Sequence, residues 1–433
     1  MCARHGANLA CKKVFANSRL GWYKKSAMNV VNFILITINP LMNKIIKSQL
    51  RFGIGMYMNK KIIHLASPTT NGREMDYIKE AFNTNWIAPL GPNIDGFEQE
   101  LTAYVRSSHG VALSSGTAAI HLALKAAGIG EGDIVFCPSL TFAASCNPIL
   151  YQGGIPVFID SEKDTWNMDP RALEKAFKKY KNVKSVIVVN LYGTPAKMED
   201  IIEICNDHNA VLIEDAAESL GSRYKGKQTG TFGKYGIYSF NGNKIITSSG
   251  GGMLVSEDEE AIKKVRFWAT QSRQPARHYE HKEIGYNYRL SNILAGIGRG
   301  QLLSLDKHIE KKEKIYKTYK RAFEDIEEIE MNPIAKHSQP NYWLSCMTLN
   351  ENSQLKPLDI IVQLEKDHIE ARPIWKPMHM QPVFKNYDFI MAEDRDISVA
   401  EDIFNRGLCL PSDIKNTDED MDRIIKKVKS LWK

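Results

Sequence analysis

Short apolar runs alternate along this chain with segments whose apolar positions recur every three or four residues. The runs at 111–114, 134–137, 156–160, 186–190 and 210–215 are nearly continuous in Val, Ile, Leu and Phe. Runs that short and that apolar read as strands buried on both faces. Between them, 117–127, 143–151, 170–180 and 197–208 carry the helical period. Apolar strands separated by amphipathic helices predict an α/β fold with a mostly parallel sheet covered on both sides. Such sheets place ligands at the carboxyl ends of their strands. Two helices, at about 74–82 and 94–105, precede the alternation, joined by a turn-rich stretch at 83–92 that contains Trp86. Two more buried strands flank a small polar loop at 241–252. A long helical region then runs from about 291 to 323. After a break near Pro333, a smaller mixed α/β region closes the chain. The expected organisation is an extension at 1–57, a large domain at 58–300, and a long helix with a small C-terminal domain at 301–433.

Charge changes the picture only at the N-terminus. The chain of 433 residues carries 57 Lys and Arg against 50 Asp and Glu, a net +7. Ten of those basic residues and none of the acidic ones fall in residues 1–60, so the remainder carries −3. A body that is slightly acidic lacks the footprint of a nucleic-acid binder. The basic segment 1–57 fits a signal-like stretch, a targeting extension, or sequence upstream of a start at Met58. The third is the preferred expectation, with 1–57 peripheral and without chemistry. No apolar run is long enough to span a bilayer. The seven cysteines are odd in number and scattered, with no metal-site spacing. They predict reduced thiols, a cytoplasmic protein and no metal.

Five stretches can carry chemistry. Ser114-Ser-Gly116-Thr117 lies between a strand and a helix, where free N–H groups meet an anion. Alone the signal is weak, because Ser-Gly-Thr also makes a good helix cap. Phe142, just past a strand end, can stack on a planar ring or simply fill core. Asp215 ends a buried strand, where a carboxylate is costly without a positive partner or a capping role. Lys244, with Ser239 and Asn241, sits in the polar loop between apolar strands. Desolvation there would lower its pKa and leave more nucleophilic free base, as Schiff-base chemistry requires. A solvated hairpin lysine is the ordinary alternative. Gly285-Tyr-Asn287-Tyr-Arg-Leu-Ser291 opens the long helical region.

The order of these stretches is more specific than any one of them. A helix-start loop is followed by an aromatic, a strand-end Asp, and a Lys 29 positions after that Asp. With Glu214-Asp215-Ala-Ala-Glu218-Ser-Leu-Gly221, this layout resembles the pyridoxal-phosphate nucleotide-sugar aminotransferases of the DegT/DnrJ/StrS type, from about residue 62 to the C-terminus. The resemblance implies the aspartate-aminotransferase-like fold type I, with pyridoxal 5′-phosphate as cofactor. It implies Lys244 as the covalent anchor and proton shuttle, and Asp215 at the ring nitrogen. Phe142 would stack on the ring, and Glu218 would stand near its phenolic oxygen. Gly116, Thr117 and Ser239 would hold the phosphate. Asn287 would reach it from a neighbouring subunit, making a homodimer with shared active sites. The stretches 85–92 and 281–291 look most like members that aminate C4 of UDP-4-keto-6-deoxy-N-acetylglucosamine, with L-glutamate as donor. Amination at C3, a GDP- or dTDP-linked sugar, and a non-catalytic regulator are the alternatives. Trp86, Arg372, Lys376 and His379 are the candidates for the nucleotide-sugar pocket, although Lys376 also fits plain surface and His379 a structural histidine.

Overall fold

The structure, a computed structural model, describes residues 61–432. The expectations for 1–57 and for a start at Met58 lie outside the described residues. Helices α1 (Glu74–Asn83) and α2 (Pro92–Val105) lead into β1 (His109–Leu113) and α3 (Gly116–Ala126). The alternation continues through β2 (Ile134–Pro138), α4 (Asn147–Tyr151), β3 (Ile155–Ile159), α5 (Pro170–Lys179), β4 (Ser185–Val189), α6 (Met198–Asp207) and β5 (Val211–Asp215). A small hairpin, β6 (Arg223–Tyr224) and β7 (Lys227–Gln228), precedes β8 (Tyr235–Ser239), β9 (Gly252–Ser256) and α7 (Glu259–Ala269).

These strands build an eight-stranded sheet in the order β1-β9-β8-β5-β4-β2-β3-β14, with β14 at Phe389–Ile390. Its pairs are parallel except those made by β9, which runs against both β1 and β8. Alternate residues serve opposite faces. Ile187 joins one apolar cluster with α3, while Val186 and Val188 join the other with α5 and α6. Burying a Val or Ile side chain contributes roughly 1.5–3 kcal/mol, so a one-residue slip of any central strand is strongly disfavoured.

Two local expectations need correction. The helix expected at 143–151 is a 3₁₀ turn at Ala143–Ser145 followed by the short α4. Pro148, which lacks an N–H, occupies the first turn of α4. The long helical region is two helices, α8 (Asn292–Leu302) and α9 (Leu305–Phe323), broken at Leu303–Ser304.

The C-terminal region adds a four-stranded sheet, β10 (Ile329–Met331), β12 (Ser345–Leu349), β15 (Gly407–Leu410) and β13 (Arg372–Pro373), while β11 (Ser338–Gln339) pairs with β6. Helices α10 (Pro357–Lys366), α11 (Val399–Arg406) and α12 (Asp418–Lys429) complete the chain. The chain crosses residue 300 in both directions. β14 pairs with β3 of the large sheet, and Ile63 bridges Ile369 beside the smaller one.

Candidate active site

Register brings the chemistry to one edge of the large sheet. Leu113 at the end of β1 and Ser239 at the end of β8 both lie opposite Gly252, and Asp215 lies opposite Ile237. Helix α3 starts at this edge. Ser115 caps it, its hydroxyl accepting the Ala118 N–H at 3.0 Å. The earlier N–H groups of the first turn point out of the helix end, where they favour an anion. Gly116 is needed for the close approach, because a Cβ there would come within 3.2 Å of Ser239 Cβ. A Cβ on Gly252 would strike the Ser115 and Gly116 backbone at about 2.5 Å. Thr117 and Ser239 are both half-buried at this edge.

Lys244 follows β8 in a loop closed by Phe240, whose N–H donates to Gly251 O and whose carbonyl accepts from the Ser248 N–H. Its side chain is largely enclosed. The Nζ stands 3.6 Å from Glu218 Oε1 and 4.2 Å from the centroid of the Trp343 ring. Asp215 is buried. It accepts from Ser145 Oγ at 2.7 Å and from the Ala217 N–H at 3.1 Å. Burial pushes its pKa up, against the pull of those two donors and of the Lys244 charge. Burial likewise pushes Glu218 up to about 7, while Lys244 and the Tyr192 N–H, donated at 2.7 Å, favour its ionised form. A buried acid whose nearby cation is a lysine, beside a helix N-terminus, fits a protonated ring nitrogen at one end and a phosphate at the other. The residues present therefore suit pyridoxal 5′-phosphate.

An aromatic wall adjoins these groups. Phe142 is exposed, with its ring 5.3 Å from that of Trp375, and Trp375 lies 5.1 Å from Tyr192 and 6.4 Å from Trp343. Tyr192 is buried with φ +52°, a backbone region that non-glycine residues rarely adopt. Its N–H goes to Glu218, and its hydroxyl accepts the Trp375 N–H. Asn341 donates to the carbonyls of Glu218 and Leu220 and accepts the Trp343 N–H. Sequence reasoning missed Ser145, Tyr192, Trp343 and Trp375. Each is an unremarkable core residue by its local pattern, and no motif joins them.

The remaining sequence candidates fall in several places. Asn292 pins the stretch around Trp86, donating to the Trp86 carbonyl and accepting the Asn93 N–H. Trp86 itself is exposed. Asn287 is exposed and bridges Thr270 through its backbone. The segment after it is tied to the end of β1 by the Leu113–Arg289 bridge and by Ser114 N–H to Tyr288 O, and to α2 by a buried Arg289–Glu98 ion pair at 2.7 Å. Among the described residues, no hydrogen bond or ion pair joins Asn287 to Lys244, Glu218 or Asp215 of the same chain. Arg372 and Lys376 are exposed. His379 is enclosed. It bonds Ser139 Oγ at 2.5 Å, faces Glu401 at 3.7 Å and stacks on Phe389. That setting accords with a structural histidine, the alternative left open for it. Two clefts of about 410 and 420 Å³ open beside Val399, and neither is lined by Lys244 or Asp215. Chemistry rather than volume marks this site.

Fold and site thus define a pyridoxal-phosphate aminotransferase. Residues 68–429 match the model of the DegT/DnrJ/EryC1/StrS aminotransferase family. A Bacillus subtilis protein assigned as a pyridoxal phosphate-dependent aminotransferase, EpsN, is 53% identical over 87% of this chain and 97% of its own length. A GDP-perosamine synthase of Caulobacter vibrioides is 36% identical over 84% of this chain and 96% of its own. Among solved structures, a DegT/DnrJ/EryC1/StrS aminotransferase from Brucella abortus superposes with a TM-score of 0.76 at 27% identity, covering 83% of this chain and 95% of that one. The chain belongs to the DegT/DnrJ/EryC1/StrS aminotransferase family. It is a sugar aminotransferase dependent on pyridoxal 5′-phosphate.

Proposed function

We propose that the chain transfers an amino group from L-glutamate to C4 of UDP-4-keto-6-deoxy-N-acetylglucosamine, for the synthesis of a bacterial glycan. The observation that carries the transamination site is the meeting of Lys244, Glu218 and Asp215 beside the α3 N-terminus. Bound pyridoxal phosphate supplies an aldehyde carbon for the amino group and a ring that accepts an electron pair. Lys244 Nζ would hold the cofactor and carry the proton at the substrate's amino-bearing carbon. Asp215, held by the Ser145 hydroxyl, would pair with the ring nitrogen and favour its protonated form. Glu218 would face the phenolic oxygen; in the structure burial pushes its pKa up to about 7. Gly116, Thr117 and Ser239 would hold the phosphate, and Phe142 would cover the ring.

The site is completed by a second copy of the chain, which contributes Asn287. The exposure of Asn287, and of Phe82, Trp86, Ile87 and Leu90 in one stretch, supports a homodimer. Trp86, Arg372, Lys376 and His379 are the proposed nucleotide-sugar contacts. Of these, His379 has the least freedom to reach a ligand, because both its ring nitrogens face partners. The scattered cysteine pattern supports a cytoplasmic setting. No helix among the described residues is long and apolar enough to cross a membrane.

The test is mass spectrometry of products from UDP-4-keto-6-deoxy-N-acetylglucosamine with ¹⁵N-glutamate. Gain of the heavy nitrogen at C4 is expected, and turnover by Lys244→Ala would sink the assignment. The similarity to a GDP-perosamine synthase supports one second reading, a GDP-linked keto-sugar. A GDP-linked keto-sugar tested in parallel separates the two.

A further inference from the structure

A second lysine lies beside Lys244. Lys312, in the middle of α9, is almost completely buried. Its Nζ donates to the Trp343 carbonyl at 2.9 Å. It lines a small polar cavity with Lys244, Asn243, Thr247, His308 and Asp413. Burial of a lysine is costly and is rarely kept without a task. Burial pulls its pKa down to about 8, against the attraction of Asp413.

Trp343 is the element that Lys312 touches, and all its polar groups are committed. Its N–H goes to Asn341 Oδ1 at 2.9 Å, its carbonyl accepts from Lys312, and its indole N–H donates to Asn243 O at 2.7 Å. Asn243 directly precedes Lys244, so the indole is fixed to the same loop whose amine it faces. The π-face attracts the Lys244 ammonium. Of these ties, the one to Lys312 comes from α9, outside the loops that form the site.

We infer that Lys312 is a positioning residue for the aminotransferase reaction, holding Trp343 so that its ring seats the Lys244 amine. This rests on the reading of Lys244 as the reacting amine. Removing the donor leaves a buried carbonyl unpaired, and the Trp343 segment shifts to find another partner. A shift of about 1 Å at a reacting group can lower a rate by roughly 100-fold.

The test compares Lys312→Met with Lys312→Gln. Both remove the charge, and Gln keeps an N–H for the Trp343 carbonyl. One readout is independent of turnover: the rate at which acetic anhydride labels Lys244 in the cofactor-free protein, relative to exposed Lys376, followed by peptide mass spectrometry. Lys312→Met should raise that ratio at least ~3-fold and lower kcat about tenfold, with KM for the nucleotide sugar little changed. Lys312→Gln should bring both the labelling ratio and kcat most of the way back to wild type. Equal behaviour of Met and Gln variants would mean that charge, not the hydrogen bond, matters, and would overturn the inference. So would a folded Lys312→Met with unaltered Lys244 labelling. If Lys312→Met does not fold, Trp343→Leu replaces it. Removal of the ring must raise Lys244 labelling, or the inference fails. Borohydride fixation of the cofactor in wild type reports separately on Lys244. Its failure there sinks the reading of the site, whatever Lys312 does.

Discussion

The Lys244 amine and the Glu218 carboxylate stand 3.6 Å apart in a nearly closed pocket, and burial keeps Glu218 at a pKa of about 7. The consequence is measurable in stability. Glu218 binds a proton more tightly when folded than unfolded, so the stability it contributes is present below its unfolded value and lost as pH rises through about 7. Between pH 4.5 and 7, wild type should lose more stability than Glu218→Gln. The difference is at most about 3 kcal/mol, read by chemical denaturation at the two ends of that window. Parallel pH profiles for the two proteins would remove Glu218 as the cause.

Ser145 supplies the side-chain donor to Asp215. Losing a hydrogen bond to an ionised group costs about 1.5–3 kcal/mol. Ser145→Ala should therefore push the Asp215 pKa further up and weaken cofactor retention by roughly tenfold or more. Equilibrium dialysis of the cofactor at pH 7 reads the effect. Asp215→Asn should be more severe, lowering kcat about 100- to 1,000-fold, the range seen when one preorganised electrostatic partner is removed.

Gly252 lies against the backbone of Ser115 and Gly116, so a methyl there must push the start of α3 away from the sheet. Gly252→Ala should cost about 1–3 kcal/mol by overpacking and lose cofactor absorbance together with melting temperature. Gly250 has nothing within 4 Å of a Cβ, and Gly250→Ala should stay within about 0.5 kcal/mol of wild type. If the two variants behave alike, the close approach at Gly252 does not shape the site.

The exposed stretch from Phe82 to Leu90 supplies the surface expected to meet a second copy. If the proposed homodimer forms through this stretch, Phe82→Glu with Leu90→Asp should shift the protein from dimer to monomer in sedimentation velocity, and turnover should fall in step if Asn287 completes the site of the second copy. A monomeric variant of full activity would show that each chain's site is complete by itself.

Much of the architecture was legible from the chain alone. The continuous apolar run of β4, buried on both faces, and the period of 3.6 in α5 are local properties, set by which side chains must leave water. They located the central strands to within two residues. They failed where local chemistry overrode the pattern, at the Pro148 turn and at Leu303–Ser304 between α8 and α9. β14 was also out of reach, because two residues carry no period and their partner, β3, lies more than 200 positions earlier.

The sequence by itself determined the strands, a helix start at Thr117 (one residue past that observed), and the spacing from Asp215 to Lys244 that marks the family. Tertiary structure alone decided what surrounds the lysine. Glu218 is close in sequence, but Trp343 and Lys312 come from about 100 and 70 positions away, and the Trp375 wall from farther still. Side chains from separate elements meet only when the layers pack, and their juxtaposition is a property of long-range burial that no local period encodes.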